Sequence, residues 1–207
     1  MNYDKEMIKI INSWTSKPSL LMHSCCGPCS TAVIERLQEY ADITIIYYNP
    51  NIEPKEEYDK RKAEQIKVIE RLGVKYLDSD YDNNTFKSMA EGLEKEPEGG
   101  RRCHKCYLLR LDFVAKIAKE KGYDYFSTTL TVSPYKHSDV LNKIGLNLEK
   151  KYGVKYLVSD FKKRDGYKRS IQLSKEYELY RQDYCGCLYS LEYTRKEEEK
   201  WKRMGLR

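Results

Sequence analysis

The stretch that decides the fold is SLLMHSCCGPCSTAVIERLQEY, residues 19–40. It opens with a brief apolar run, residues 19–23, and continues into a tight loop that contains three cysteines. The segment after this loop has Ala32, Val33 and Leu37 at helical spacing. A strand, a tight loop and a helix in this order predict the first unit of a parallel sheet.

The same alternation of strand and helix recurs along the rest of the chain. Further strands are predicted at 42–48, 74–81, 124–130 and 154–161, and helices at 4–15, 54–73, 103–122 and from Ser138 onward. This pattern predicts an α/β protein with a parallel sheet, helices on both faces and a Rossmann-like core. With 207 residues and 40% hydrophobic content, we expect residues 1–207 to form a single α/β domain. In it, residues 162–207 are a helical C-terminal extension packed on the core.

The composition predicts a cytoplasmic protein that has no membrane partner. No stretch approaches the roughly 18 unbroken apolar residues of a membrane span, and the start MNYDKEMIKI lacks the apolar run of a signal peptide. A net charge of +6 allows a polyanionic partner without demanding one. In a reducing compartment, cysteines grouped at short spacing favour metal ligation or thiol catalysis over structural disulfides.

All seven cysteines fall into three short motifs. The first cysteine group is Cys25, Cys26 and Cys29 in SCCGPCS, the second is Cys103 and Cys106 in CHKC, and the third is Cys185 and Cys187 in YCGC. The first group directly follows a strand, where ligands gather in open parallel sheets. The second suits one metal or cluster better than a thioredoxin-like dithiol. The third could form a small-ring disulfide or bind one metal, and its spacing does not choose between them.

An iron–sulfur cluster is the predicted cofactor. The first two groups supply four thiols that suffice for one cluster, namely Cys25, Cys26, Cys103 and Cys106. Structural zinc is the rival, but adjacent cysteines disfavour it because such sites usually take two spaced pairs. The three histidines, His23, His104 and His137, are expected to pack or form hydrogen bonds rather than to bind the metal.

Four blocks of sequence together resemble one enzyme family. They are LLMHSCCGPCS (20–30), GGRRCHKCYLLRL (99–111), STTLTVSPYKHSD (127–139) and DYCGCLYSL (183–191). With these four blocks in this order, the chain resembles the QueH-type epoxyqueuosine reductases. The resemblance implies a tRNA-modifying oxidoreductase that removes the epoxide oxygen of epoxyqueuosine by two-electron reduction, giving queuosine at the wobble position. It implies tRNA carrying epoxyqueuosine as the partner, with an electron donor that the sequence does not identify.

The same resemblance implies roles for the cysteines. A 4Fe-4S cluster is expected on Cys25, Cys26, Cys103 and Cys106. Cys185 and Cys187 are expected to be catalytic, either as a redox-active pair or, together with Cys29, as ligands of an additional mononuclear iron. Tyr107, Tyr135, Tyr184 and His104 are candidate proton donors, and none of them stands out.

Two other functions remain open at this point. The strand, loop and helix also resemble the PP-loop/HUP-like core of enzymes that modify tRNA with ATP. However, thiols occupy the loop in which those enzymes bind phosphate with small and hydroxyl residues. The third hypothesis is a non-enzymatic zinc module that binds RNA, and it leaves YCGC unexplained.

A basic run near the C-terminus is the candidate RNA contact. The sequence KKRDGYKR, residues 162–169, surrounds Tyr167 with positive charge, which combines a stacking ring with groups that bind phosphate. Lys163, Arg164 and Lys168 are the predicted RNA-binding residues. A solvated surface run without a ligand is the alternative.

Overall fold

The computed structural model describes residues 1–203, apart from the side chains of residues 197, 198, 201 and 202. The helices are α1 (Tyr3–Asn12), α2 (Gly27–Leu37), α3 (Lys55–Leu72), α4 (Asn83–Ala90), α5 (Arg101–Glu120), α6 (Ser138–Tyr152), α7 (Gly166–Glu176) and α8 (Leu188–Arg203). The strands are β1 (Ser19–His23), β2 (Asp42–Ile46), β3 (Lys75–Leu77), β4 (Tyr125–Thr128) and β5 (Lys155–Tyr156). A short 3-10 helix, Thr129–Val132, follows β4.

The five strands form one parallel sheet in the order β3-β2-β1-β4-β5. Strand β1 is central, and its last residue, His23, pairs with Ile46 on one side and Thr128 on the other. Every strand therefore presents its carboxyl end to the same edge of the sheet. The parallel sheet predicted from the alternating pattern is confirmed.

Helices cover both faces of this sheet, as predicted. Leu20 and Met22 of β1 pack into the core beneath α2 and α3, whereas Leu21 packs into the core beneath α5 and α6. Side chains of a strand alternate between its two faces, and both faces of β1 are buried because it is a central parallel strand. Because both faces of β1 are buried, the sequence of this strand is a continuous apolar run and not an alternating one.

The outer strands are shorter than predicted. Beyond Leu77 the side chain of Asp78 accepts hydrogen bonds from the backbone N–H of Ser79 and from Tyr76 Oη, both at 2.8 Å. Beyond β5, Asn142 Oδ1 accepts the backbone N–H of Ser159 at 2.9 Å. Side chains thus accept backbone N–H groups that a neighbouring strand would otherwise bind, because an edge strand has a partner on one side only.

The inner strands β2 and β4 are also shorter than predicted, and further differences concern helices. Helix α1 ends at Asn12, earlier than predicted, and the polar stretch around residue 86 contains the short helix α4. After β5 the chain forms the helices α7 and α8 with loops before each of them, and α7 packs against α2. Treating residues 162–207 as a separate extension stays a prediction, and residues 204–207 lie outside the described part of the chain. Within residues 1–203, no helix combines the length and the apolar character needed to cross a membrane.

Candidate metal centre

A cavity lined by thiol and charged side chains lies beyond the carboxyl ends of β1 and β4. In the order β3-β2-β1-β4-β5, the chain moves outward from β1 in one direction and then returns to build the other half. Ligand sites of open α/β sheets lie at such a switch point. A cavity of about 600 Å³ occupies this position and is lined by residues including Cys25, Cys29 and Cys185.

The first cysteine group is held by the entrance of α2. Cys26 is the N-cap in extended conformation and Pro28 lies in the first turn. Gly27 allows α3 to approach closely, because a Cβ at this position would lie 2.8 Å from the carbonyl oxygen of Glu64. The three sulfur atoms of the group lie within 4.8 Å of one another, an arrangement that can hold a metal.

The spacing and protonation of these thiols suit metal binding. Cys25 Sγ lies 3.8 Å from Cys26 Sγ, which is about the edge of a tetrahedron around one metal with bonds of about 2.3 Å. Hydrogen bonds from the Cys26 and Cys29 thiols lower the pKa of Cys25 well below its usual range. Burial raises the pKa of Cys26 to about 12. Binding of a metal to these thiols would release the protons that they still carry.

The second and third cysteine groups come together from distant parts of the chain. Cys103 and Cys106 lie in the first two turns of α5, and Cys106 packs with Cys187 in a small cluster with Phe86 and Ala90. Burial raises the pKa of Cys106 to about 11 and that of Cys187 to about 12. The negative charge that deprotonation would bring is costly here unless a cation compensates it.

Two cations that the sequence patterns did not single out lie close to cysteines of the site. Arg110 is fully buried and donates to neutral acceptors, His23 Nε2 at 3.3 Å and Asn49 Oδ1. Burial alone would lower the pKa of Arg110, but the nearby Cys106 and Cys25 outweigh it and raise the pKa. Lys136 lines the cavity, and the thiols of Cys185 and Cys25 raise its pKa against the opposing effect of burial.

A buried guanidinium whose hydrogen bonds to His23 and Asn49 bring no negative charge calls for a nearby anion. Thiolates that bind a metal or an iron–sulfur cluster would be such an anion, so the cysteines and cations present fit a group of this kind. Arg110 lies four residues after Cys106, which places both on one side of α5. This spacing is a signal that could have identified Arg110 from the sequence.

His23 is part of the support of the site, as predicted for a packing residue. It is fully buried, its Nδ1 lies 2.9 Å from Thr128 Oγ1, and its Nε2 lies near Arg110 Nε. Burial and the charge of Arg110 lower the pKa of His23 to about 3. The ring is neutral at physiological pH and connects the ends of β1 and β4 with the buried cation.

Comparison with known proteins identifies the family. The family described as epoxyqueuosine reductase QueH matches residues 20–193, a range that contains all seven cysteines. The chain belongs to this family. A member from Staphylococcus epidermidis is 46% identical over 201 residues, covering 92% of this chain and 84% of the relative. A member from Streptococcus pyogenes is 44% identical over 199 residues, covering 92% of this chain and 78% of the relative.

The fold is similar to that of a solved tRNA-modifying enzyme. The U34-tRNA thiolase NcsA from Methanococcus maripaludis, solved with its 4Fe-4S cluster, gives a TM-score of 0.52 at 17% identity, covering 96% of this chain and 72% of that chain. At this identity the likeness concerns the fold alone. It agrees with the predicted Rossmann-like, PP-loop/HUP-like core.

The third cysteine group of this QueH-family chain is anchored through Gly186. The carbonyl oxygen of Gly186 accepts the backbone N–H of Glu53 at 2.9 Å, and Arg61 Nη1 donates to the carbonyl oxygen of Cys185 at 3.2 Å. Gly186 has φ +126°, and a Cβ there would lie 2.9 Å from Ile52 and 3.0 Å from Arg61. Only glycine fits this turn without movement of the loop.

We expect Gly186→Ala to destabilise the protein by at least about 2 kcal/mol, because strained backbone and overpacking act together. Gly92→Ala is the matched control, since Gly92 also has positive φ (+73°) but has open space around it. That variant should lose only about 1 kcal/mol. Urea unfolding followed by circular dichroism measures both. Equal losses in the two variants would contradict the close packing described for Gly186.

The candidate proton donors occupy different environments. Tyr184 lines the cavity, but its hydroxyl donates to the carbonyl oxygen of Glu53 at 3.1 Å. Tyr107 is buried, and burial raises its pKa. Tyr135 is exposed at the cavity, and His104 lies in the first turn of α5 near Tyr107. The role of each stays a prediction.

The basic run 162–169 is partly neutralised by the chain's own acids. Arg164 forms an ion pair with buried Asp4 at 3.0 Å. Arg169 pairs with Glu35 at 2.6 Å, and Lys162 pairs with Asp160. Tyr167 lines the cavity. Lys163 and Lys168 are exposed and, among the residues described, take part in no ion pair. These two lysines are the best-placed phosphate contacts of the run.

Proposed function

We propose that this chain is an iron–sulfur oxidoreductase that converts epoxyqueuosine to queuosine at the wobble position of tRNA. The relatives of the family carry the name epoxyqueuosine reductase QueH. The observation that carries the proposal is the position of the first cysteine group: its three thiols lie close together, and two of them, Cys25 and Cys29, line a cavity at the switch point of the sheet. A reductase that acts on a nucleotide needs a redox-active group close to the place where the nucleotide binds.

The proposed cofactor is a 4Fe-4S cluster held by Cys25, Cys26, Cys103 and Cys106. Cys185 and Cys187 are the proposed catalytic residues, either as a redox-active pair or, together with Cys29, as ligands of an additional iron. When bound, such a cluster supplies electrons one at a time. The close approach of Cys29 to Cys25 and Cys26 supports a metal that the first cysteine group helps to bind.

Removal of the epoxide oxygen breaks two C–O bonds, forms one C=C bond and releases water. The balance requires two electrons, from an external donor that remains to be identified, and two protons. Lys136 Nζ carries protons at the cavity wall, close to the thiols of Cys25 and Cys185. Its positive charge would stabilise negative charge on the departing oxygen, and it can donate a hydrogen bond there. Arg110 stays protonated behind the cysteines and offsets their charge.

We expect anaerobically purified protein to be brown and to contain about four iron and four sulfide per cluster, with one further iron if the second site is filled. Visible absorption should bleach on reduction. Incubation of this protein with epoxyqueuosine-containing tRNA and a chemical reductant should yield queuosine, measured by nucleoside mass spectrometry. Stoichiometric zinc in a colourless, active protein would contradict the cluster, and ATP-dependent modification would favour the PP-loop alternative.

Neutralising Lys163, Arg164 and Lys168 together should weaken tRNA binding and flatten its salt dependence. Each lost phosphate contact should reduce the slope of log Kd against log salt by about 0.7 to 0.9. Filter binding over a salt series measures the effect. Arg169→Gln is the matched control, because Glu35 accepts two hydrogen bonds from the Arg169 guanidinium, whereas Arg164 pairs with Asp4 through its Nε. An unchanged slope in the triple variant would mean that the run is only a solvated surface.

A further inference from the structure

Two tyrosine rings are exposed at the cavity described above. Tyr135 is 77% exposed and Tyr193 is 57% exposed, and both line the cavity. They come from separate segments, the loop before α6 and the helix α8. Aromatic rings left in water forgo the free energy of burial, so two of them at the rim of one cavity mark a surface that receives a ligand.

Cations line the same cavity. Arg181 Nη1 donates to the carbonyl oxygen of Ser170 at 3.4 Å and to Ser174 Oγ at 3.1 Å, both neutral acceptors, so its charge is not offset by these contacts. Lys136 directly follows Tyr135 in the chain and also lines the cavity. Together with the buried Arg110, three cations line the wall.

Two carboxylates, Glu98 and Asp183, line the cavity as well, and Glu98 Oε2 accepts a hydrogen bond from Ser190 Oγ at 3.1 Å. Arg110 and Lys136 lie close to the cysteines, so Arg181 is the lining cation best placed for a phosphate, and the whole chain has a net charge of +6. Exposed rings beside positive charge are the combination that binds single-stranded nucleic acid, since bases stack on the rings and phosphates meet the cations.

We propose that Tyr135 and Tyr193 are stacking platforms for unpaired bases of an RNA loop, and that Arg181 contacts its phosphate backbone. This inference rests on the proposed function and adds the substrate contacts that the basic run does not supply. A base must leave its stack before it can approach the thiols of Cys25 and Cys29 inside the cavity. Rings at the rim would hold its unstacked neighbours, and the bases of an RNA duplex are not free to do this.

The test uses the full chain and a short RNA hairpin with 2-aminopurine in its loop, because stacking on a ring quenches this fluorescent base. Tyr135→Ala and Tyr193→Ala should each raise the Kd about tenfold and reduce the quenching. Tyr135→Phe should leave the Kd and the quenching as in the parent, since phenylalanine keeps the aromatic ring. Arg181→Gln should flatten the salt dependence. A blunt RNA duplex should bind all tyrosine variants and the parent equally.

Tyr40→Ala is the matched control. Tyr40 is 47% exposed but lies in the turn before β2, at the opposite edge of the sheet from the cavity. Its removal should change neither Kd nor quenching. Equal melting temperatures of the variants would show that folding is intact.

The outcomes separate the two proposals. Alanine variants that bind the hairpin as tightly as the parent, with the same quenching, would overturn the stacking platforms even if the parent reduces epoxyqueuosine. Loss of hairpin binding in the alanine variants, in a parent that cannot reduce epoxyqueuosine, would support the platforms and overturn the proposed reaction.

Discussion

Replacing Cys26 with serine is expected to remove most of the iron from the anaerobically purified chain. Cys26 is fully buried at the entrance of α2, between Cys25 and the helix. A hard hydroxyl is a poor ligand for these irons, and no water can substitute for the lost thiol in a buried position. Serine at Cys25, Cys103 or Cys106 should have the same effect. Iron and sulfide analysis and the visible spectrum measure it.

Cys29→Ser is the informative comparison. Its sulfur lies within 4.8 Å of the sulfurs of Cys25 and Cys26, yet the proposed assignment gives it to the additional iron. We therefore expect the variant to keep the four-iron spectrum and to lose at most one iron. Loss of the whole cluster in Cys29→Ser, with retention in Cys103→Ser, would show that the first cysteine group supplies three cluster ligands.

Serine at Cys185 or Cys187 is expected to reduce the rate of epoxyqueuosine reduction by about 100-fold or more while the four-iron spectrum persists. Cys185 lines the cavity, and its loop is held by hydrogen bonds from Arg61 and Glu53. A thiol at this point can act on a substrate without binding the cluster. Single-turnover assays with epoxyqueuosine-containing tRNA measure the rate.

Leu188→Ala, which changes the residue next to Cys187, is the control for a disturbed loop. Leu188 is 38% exposed at the start of α8, so its truncation removes little packing. It should keep most of the activity. Disappearance of the four-iron spectrum in Cys185→Ser or Cys187→Ser would contradict the proposed division of the cysteines, since the third group would then bind the cluster.

Much of the fold could be predicted from the sequence because its signals are local. Leu20, Leu21 and Met22 are all apolar, which indicates a strand buried on both faces, and all three are fully buried. The edge strands are shorter than predicted, since the predicted strand at 74–81 includes the polar residues Asp78, Ser79 and Asp80. Their pairing ends where side chains such as Asp78 accept the backbone hydrogen bonds.

The cysteines of the candidate site were also recognisable from short spacing, but their neighbours were not. Arg110 reaches His23 across 87 residues and Asn49 across 61 residues of chain. Arg164, predicted to bind RNA, forms its ion pair with Asp4 across 160 residues. A charge in a sequence does not reveal whether its partner is a phosphate or a carboxylate of the same chain.

The sequence by itself determined the alternation of strands and helices, the resemblance to the family and the three cysteine groups. Periodicity and close spacing are properties of a few consecutive residues, and they persist in any fold that contains them. Only the tertiary structure decided that Cys106 packs against Cys187, that Arg110 lies buried behind the thiols, and that Tyr135 shares a rim with Tyr193. Such neighbours meet because parallel strands bring their carboxyl ends to one edge of the sheet, whatever their separation along the chain.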